Sequence, residues 1–167
     1  WARIFSVYGR ERDARRLTGD VVTHLAAGET VTIRSGSLVR DYIYLKDAAE
    51  ALVRFLESDV EGVVNVCTGR GTSIHDYVMT LARAMGREKL VVFEERGSAQ
   101  QAVVVGDDTR LREEVGFTLR WTMEEAVREI VEEYGTQPPK QTKSGHPGLV
   151  SVLLSIYDVE EYLEECL

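Results

Sequence analysis

The stretch "GSLVRDYIYLKDAAEAL", Gly36 to Leu52, decides how the chain is read. A Gly-Ser turn delivers an Arg-Asp pair into "DYIYL", a β-branched and aromatic run with the signature of a strand. From Asp47 onward, Ala48, Ala51, Leu52, Phe55 and Leu56 fall at helical spacing. A strand passing straight into an amphipathic helix is a building unit of α/β folds. Arg40 and Asp41, at the head of this unit, pose the functional question. They are either a surface pair contributing little or the start of an anion site.

Working outward, the same alternation continues in both directions. "ARIFSVYG" reads as a buried strand closed by Gly9, and "RERDARRLTGD" as a polar, Arg-rich loop. Leu17, Val21, Val22 and Leu25 mark a short amphipathic helix ending at Gly28, and "TVTI" is a strand. "GVVNVCTG" is a β-branched run bounded by glycines, hence another buried strand. Ser73 with Asp76 forms a capping box, with Ile74, Val78, Leu81, Ala82 and Met85 as one stripe and Gly86 as the stop. "LVVF" and "AVVV" are further strands. Thr122 with Glu125 repeats the capping box, and Val127, Ile130, Val131 and Tyr134 face the core before Gly135. The order is mixed α/β without an internal repeat.

After Gly135, "TQPPKQTKSGHPG" holds all three prolines of the chain and no periodicity, which predicts a linker over 135–148. "LVSVLLS" then resumes as an apolar strand, and "VEEYLEECL" as a helix with Val159, Tyr162, Leu163, Cys166 and Leu167 on one face. One strand and one helix cannot bury that surface alone. The expectation is a first domain over 1–134, the linker, and the beginning of a second α/β unit over 149–167.

Composition narrows the function classes. A net charge of -8 over 167 residues argues against nonspecific nucleic-acid binding, while leaving room for a local basic pocket that holds phosphate. Only two cysteines occur, Cys67 and Cys166, so buried thiols in a reducing compartment are expected instead of a disulfide framework. No apolar run approaches the roughly 20 residues of a membrane span. "WARIFSVYGRERD" has its charge after the apolar run, unlike a signal peptide, and no initiating Met precedes it, so the chain is expected to begin within a longer protein.

Candidate chemistry is sparse. Tyr42-x-x-x-Lys46 would be a proton-transfer pair on a helix. On a strand the two lie about 13 Å apart, and a core tyrosine with a surface lysine is the plainer reading. Gly69 and Gly71 of "GRGTS" lack the third glycine of a dinucleotide fingerprint and read as a strand-to-helix turn. His24, His75 and His146 have no metal-ligand spacing.

Taken in order, "RIFSVYG", "RDYIYLKDAAEAL", "VVNVCTGRGTSI" and "DDTRLREEVGF" resemble the C-terminal half of the extended short-chain dehydrogenase/reductases, the NAD-dependent sugar-nucleotide epimerases and dehydratases. The resemblance implies the substrate-binding portion of an extended Rossmann-type fold. The NAD-binding half, with its glycine turn and Tyr-x-x-x-Lys, would belong to the missing N-terminal part of a parent protein, for which the resemblance allows a homodimer. It implies a nucleotide-diphosphate sugar as partner and NAD as the parent's cofactor, held only weakly by this piece, in a cytoplasmic protein. Arg40 then matches the Arg that meets the substrate diphosphate, a task suited to a planar and permanently charged fork. Asp41 matches a structural acid that orients this Arg or ties down the turn.

Further matches are implied residue by residue. Ser6 stands where relatives often carry a substrate-contacting Asn, and Phe5 matches a position near the nicotinamide, with a plain core aromatic as its alternative. Arg96 resembles an Arg clamping ribose and phosphate, with Ala99 in place of the usual Asp; a solvated loop residue is the other reading. Asp107, Thr109 and Arg110 match the opening of a short helix, Asp107 as its cap, and Asn65 matches a structural Asn. The tail "PGLVSVLLSIYDVEEYLEECL" resembles the first strand and helix of a family 2, GT-A-type glycosyltransferase, with Ser155 and Asp158 replacing the usual Pro and Asn. The combined expectation is part of an epimerase or 4,6-dehydratase fused to a glycosyltransferase in polysaccharide synthesis, inactive as this piece. The alternative is a noncatalytic nucleotide-sugar-binding or assembly module, favoured by Ser6 and Ala99.

Overall fold

The computed structural model describes residues 1–10, 16–94 and 102–136. Strands β1 (Ala2–Ile4) and β2 (Ser6–Tyr8) precede helix α1 (Leu17–Ala27). Next come β3 (Val31–Ile33), β4 (Val39–Tyr44), α2 (Leu45–Glu57), β5 (Val64–Val66), β6 (Gly71–Ser73) and α3 (Ile74–Met85). A 3-10 turn at Glu88–Leu90 leads to β7 (Val91–Phe93), β8 (Val103–Val104), α4 (Thr109–Glu113) and α5 (Met123–Thr136).

Strand β4 is the centre of the arrangement. Its last three residues pair in parallel with β2, Ser6 opposite Tyr42 and Tyr8 opposite Tyr44. Its first three residues pair antiparallel with β6, Arg40 opposite Thr72, and in parallel with β8. Two parallel pairs, β1 with β5 and β3 with β7, complete the strand pairing.

Several elements differ from the sequence expectation. "ARIFSVYG" is not one strand: pairing passes from β5 to β4 at Phe5, whose N–H still reaches the Val66 carbonyl at 3.1 Å. The strand holding Arg40 begins at Val39, and the helix after it begins at Leu45, two residues before Asp47. "GRGTS" is not a plain turn, because Gly71–Ser73 forms β6 against β4.

The capping expectations match the helix starts. The Ser73 hydroxyl accepts the Asp76 N–H at 3.0 Å, and Thr122 and Glu125 exchange hydrogen bonds across the first turn of α5. Gly86 ends α3 with φ 63°, a left-handed conformation that a residue with a Cβ adopts only at a cost.

Alternation along β4 divides two apolar cores. Tyr44 joins the core of Tyr8, Val22, Leu25, Leu81 and Ile130, where α1, α3 and α5 pack over the strands. Ile43 points the other way, into a smaller core of α2, β5 and α4 with Ala51, Val64, Leu111 and Phe117. Full burial of side chains such as Leu25 and Ile130 contributes about 1.5–3 kcal/mol each. Among the described residues no helix is long and apolar enough to cross a membrane.

Candidate functional site

Arg40 is half-buried on β4 and shares a strand face with Tyr42 and Tyr44. Because Ser6 lies opposite Tyr42 in the ladder, Ser6 belongs to the same face one strand away. The Arg40 Nη1 donates to the Val39 carbonyl at 2.8 Å, which fixes one edge of the guanidinium beside the strand. Tyr42 lies two residues along the same strand face. Its ring stacks on Tyr77 with centroids 4.6 Å apart, and the Tyr77 hydroxyl meets the Thr18 hydroxyl at 2.7 Å. Burial pushes the Tyr42 phenol up to about 12, while the nearby Arg40 charge pulls it down.

Asp41 faces the opposite side and is 1% exposed. Its carboxylate accepts the Thr68 N–H and hydroxyl at 2.8 and 2.7 Å, the Gly69 N–H at 3.0 Å and the Gly106 N–H at 3.2 Å. It therefore ties β4 to the β5–β6 turn and to the segment after β8. Asn65 donates to the Asp107 carbonyl at 3.0 Å and accepts from Arg3 at 3.4 Å. The Asp107 carboxylate accepts the Thr109 N–H at 2.9 Å, just ahead of α4. Hydrogen bonding to Thr109 holds the Asp107 carboxyl below its usual range. A Cβ at Gly106 would fall 2.9 Å from the Phe5 ring and 2.5 Å from Cys67 Sγ, so Phe5 sits against that glycine. Arg96, Ala99, Cys166 and the tail lie outside the described residues.

Tyr42 and Lys46 are separated by the strand-to-helix junction, with Lys46 in the first turn of α2. Lys46 pairs with Glu129 and lies 5.0 Å from the Trp121 ring centre. Tyr42 goes to Tyr77 instead. Each member of the motif thus has its own packing role.

Sequence reasoning missed Asp47 and the tyrosine group around it. Asp47 is 2% exposed, and its two oxygens accept the Arg120 and Trp121 N–H groups at 3.2 and 3.3 Å. Burial raises its carboxyl above the usual range, and those two backbone donors oppose the rise. Beside it, Tyr8, Tyr42, Tyr44 and Trp121 line a cleft of about 400 Å³. Cys67, buried at the end of β5, has its thiol pushed up to about 12 by burial and then by Asp41, and so is a poor nucleophile. Among the described residues no cluster of His, Cys, Asp and Glu could hold a metal ion.

Residues 1–67 match the model of the NAD dependent epimerase/dehydratase family. Over 90 residues the chain is 34% identical to the putative UDP-arabinose 4-epimerase 2 of Arabidopsis thaliana, covering 52% of this chain and 22% of that protein. It is 33% identical over 105 residues to the ADP-L-glycero-D-manno-heptose-6-epimerase of Nitratidesulfovibrio vulgaris, covering 59% of this chain and 32% of that protein. The UDP-glucose 4-epimerase of Thermotoga maritima, solved with UDP-glucose, superposes with a TM-score of 0.72 at 27% identity, over 80% of this chain and 45% of that one. That of Thermus thermophilus, solved with NAD, gives 0.72 at 26%, over 81% and 46%. The chain therefore spans less than half the length of each of these relatives. Its α/β fold is that of the Rossmann-like short-chain dehydrogenase/reductases, and residues 1–67 carry the sequence signature of the NAD dependent epimerase/dehydratase family.

Proposed function

We propose that this chain supplies the nucleotide-sugar site of an NAD-dependent sugar-nucleotide epimerase or dehydratase, and that Arg40 holds the substrate diphosphate. The observation that carries the reading is the placement of Arg40. A half-buried guanidinium, steadied by the Val39 carbonyl, shares a strand face with Tyr42 and with Ser6 on the neighbouring strand. Such a fork suits the oxygens of a diphosphate, and the half-buried setting strengthens the contact over one in open water.

In this reading Ser6 adds one hydroxyl to the substrate, and Arg96 meets the nucleotide from outside the described residues. The intact enzyme oxidises a sugar hydroxyl with NAD and later re-reduces the keto intermediate. The glycine turn and paired tyrosine and lysine for that chemistry are supplied by a further half. Residues 149–167 open a glycosyltransferase-like domain after the 135–148 linker, a pairing suited to cytoplasmic polysaccharide synthesis. A noncatalytic sugar-nucleotide module is the second reading, favoured by Ser6 in place of the usual Asn.

Calorimetry on the 167-residue chain tests the proposal. UDP-glucose or ADP-glucose should bind, NAD should not bind tightly, and no sugar nucleotide should turn over. Arg40→Ala should weaken sugar-nucleotide binding by about 1.5–3 kcal/mol, roughly ten- to a hundredfold. Undiminished binding by a folded Arg40→Ala variant removes Arg40 from the site. Measurable epimerisation by the chain alone contradicts the need for a further half.

A further inference from the structure

Helix α2 is apolar around more of its circumference than the fold uses. Ala48, Ala51 and Phe55 lie on one side, packed with the strands over the smaller core. Leu45, Ala49, Leu52, Val53 and Leu56 fall within about 100° of one another on the adjoining side. Leu45 and Val53 are each 52% exposed and Leu56 is 83% exposed. Ala49 is exposed as well, and only Leu52 dips into the core. Single exposed aliphatics are ordinary, but a continuous stripe along about three turns marks a contact surface.

Charges beside the stripe identify what covers it. Lys46 stands in the first turn of α2 and Glu57 in the last, at opposite ends of the same flank. Lys46 pairs with Glu129, and its ammonium has further donors to offer. Glu57 is exposed and has no ion pair among the described residues. Between them, Glu50 and Arg54 are paired with each other. A second copy laid antiparallel on the stripe, about a two-fold axis across the seam, brings Lys46 of each copy level with Glu57 of the other. Leu45 of each then lies near Leu56 of the other, and Leu52 meets its own counterpart close to the axis. A parallel pairing puts the two charged flanks on opposite sides of the seam, so no pair forms across it, and it aligns the helix dipoles unfavourably.

We infer that the exposed face of α2 is a self-association surface, on which a second copy of this chain docks through its own α2, antiparallel and two-fold symmetric. The seam measures about 20 Å by 10 Å, well below the roughly 800 Å² per partner of a standard interface. The dimer is therefore weak, with a dissociation constant on the order of 0.1 mM. The Lys46–Glu57 pairs at its rim set orientation more than strength. Arg40 lies on β4, so the inference is independent of the diphosphate reading.

Sedimentation equilibrium of the full 167-residue chain, from about 10 μM to 1 mM, tests it. Monomer is expected at the low end and dimer at the high end, with amide shifts on dilution gathered over Leu45 through Glu57. Leu56→Lys, at so exposed a side chain, should leave the melting temperature unchanged and weaken the dimer at least tenfold. Glu57→Lys should weaken it about threefold, and adding Lys46→Glu to the same chain should restore it. The inference is overturned if the chain stays monomeric at ~1 mM, which leaves the face to a different protein, or if Leu56→Lys dimerises like the original. It is also overturned if truncation after Thr136 abolishes the dimer, which assigns the contact to the tail. Failure of the double charge exchange to restore what Glu57→Lys loses overturns the antiparallel arrangement.

Discussion

At the scale of single residues, Asp41 and Arg40 show how adjacent positions in a strand acquire separate tasks. A buried carboxylate is tolerated when its lone pairs are filled, and Asp41 is filled by four donors from two separate segments. Asp41→Ala would strand those donors and should destabilise the chain by about 3 kcal/mol or more in a urea melt. A loss below ~1 kcal/mol would mean that the turn holds without it. The sequence set Arg40 and Asp41 side by side and left open whether they paired. Strand alternation resolves this by sending them to opposite faces. Asp47 was illegible for another reason: its partners Arg120 and Trp121 lie 73 and 74 residues away, and no local pattern encodes that contact.

At the scale of elements, the helix starts were legible because capping is local. Ser73 before α3 and Thr122 with Glu125 before α5 follow from spacing alone. Asp76, Asp107 and Glu125 all have their carboxyl groups held below the usual 3.8 or 4.5, the first by His75, the others by Thr109 and Thr122. A lowered folded value means that the stabilisation is present above the ordinary value and disappears as pH falls through the folded one. The melting temperature should therefore drop on acidification below about pH 4.5. Glu125→Gln should make that drop shallower, and an unchanged acid profile would remove this cap from the account. Asp47 has the opposite sign: its raised value makes its contribution weaken as pH rises through it.

Short strands were harder to read, since β6 is three residues containing a glycine and gains its identity only from β4. Close approach then constrains glycine. At Gly106 a Cβ would lie 2.5 Å from Cys67 Sγ and 2.8 Å from Cys67 Cβ. Gly106→Ala should cost about 1–3 kcal/mol by overpacking, measured as a shift of the urea midpoint. A neutral result would show that β8 and Phe5 can give way.

At the scale of the whole molecule, the mixed α/β order and the helix stripes were readable from periodicity, and the division into two cores was not. That division depends on β4 turning Tyr44 one way and Ile43 the other, and on helices far apart in sequence meeting across it. Both cores are assembled from residues between Ala2 and Tyr134. If 149–167 opens a separate domain, truncation after Thr136 should leave the melting temperature unchanged within error. A fall of several degrees would assign the tail to the first domain.

The site was legible only in part: Arg40 stood out by chemistry, whereas the stacking of its face neighbour Tyr42 on Tyr77, itself bonded to Thr18, needed the fold. The most direct measurement is a crystal structure of the chain with UDP-glucose. The account predicts diphosphate oxygens within hydrogen-bond distance of the Arg40 guanidinium, about 2.7–3.2 Å, with Ser6 on the same side of the ligand. A diphosphate bound elsewhere, with Arg40 still turned to the Val39 carbonyl and touching no ligand, would contradict it.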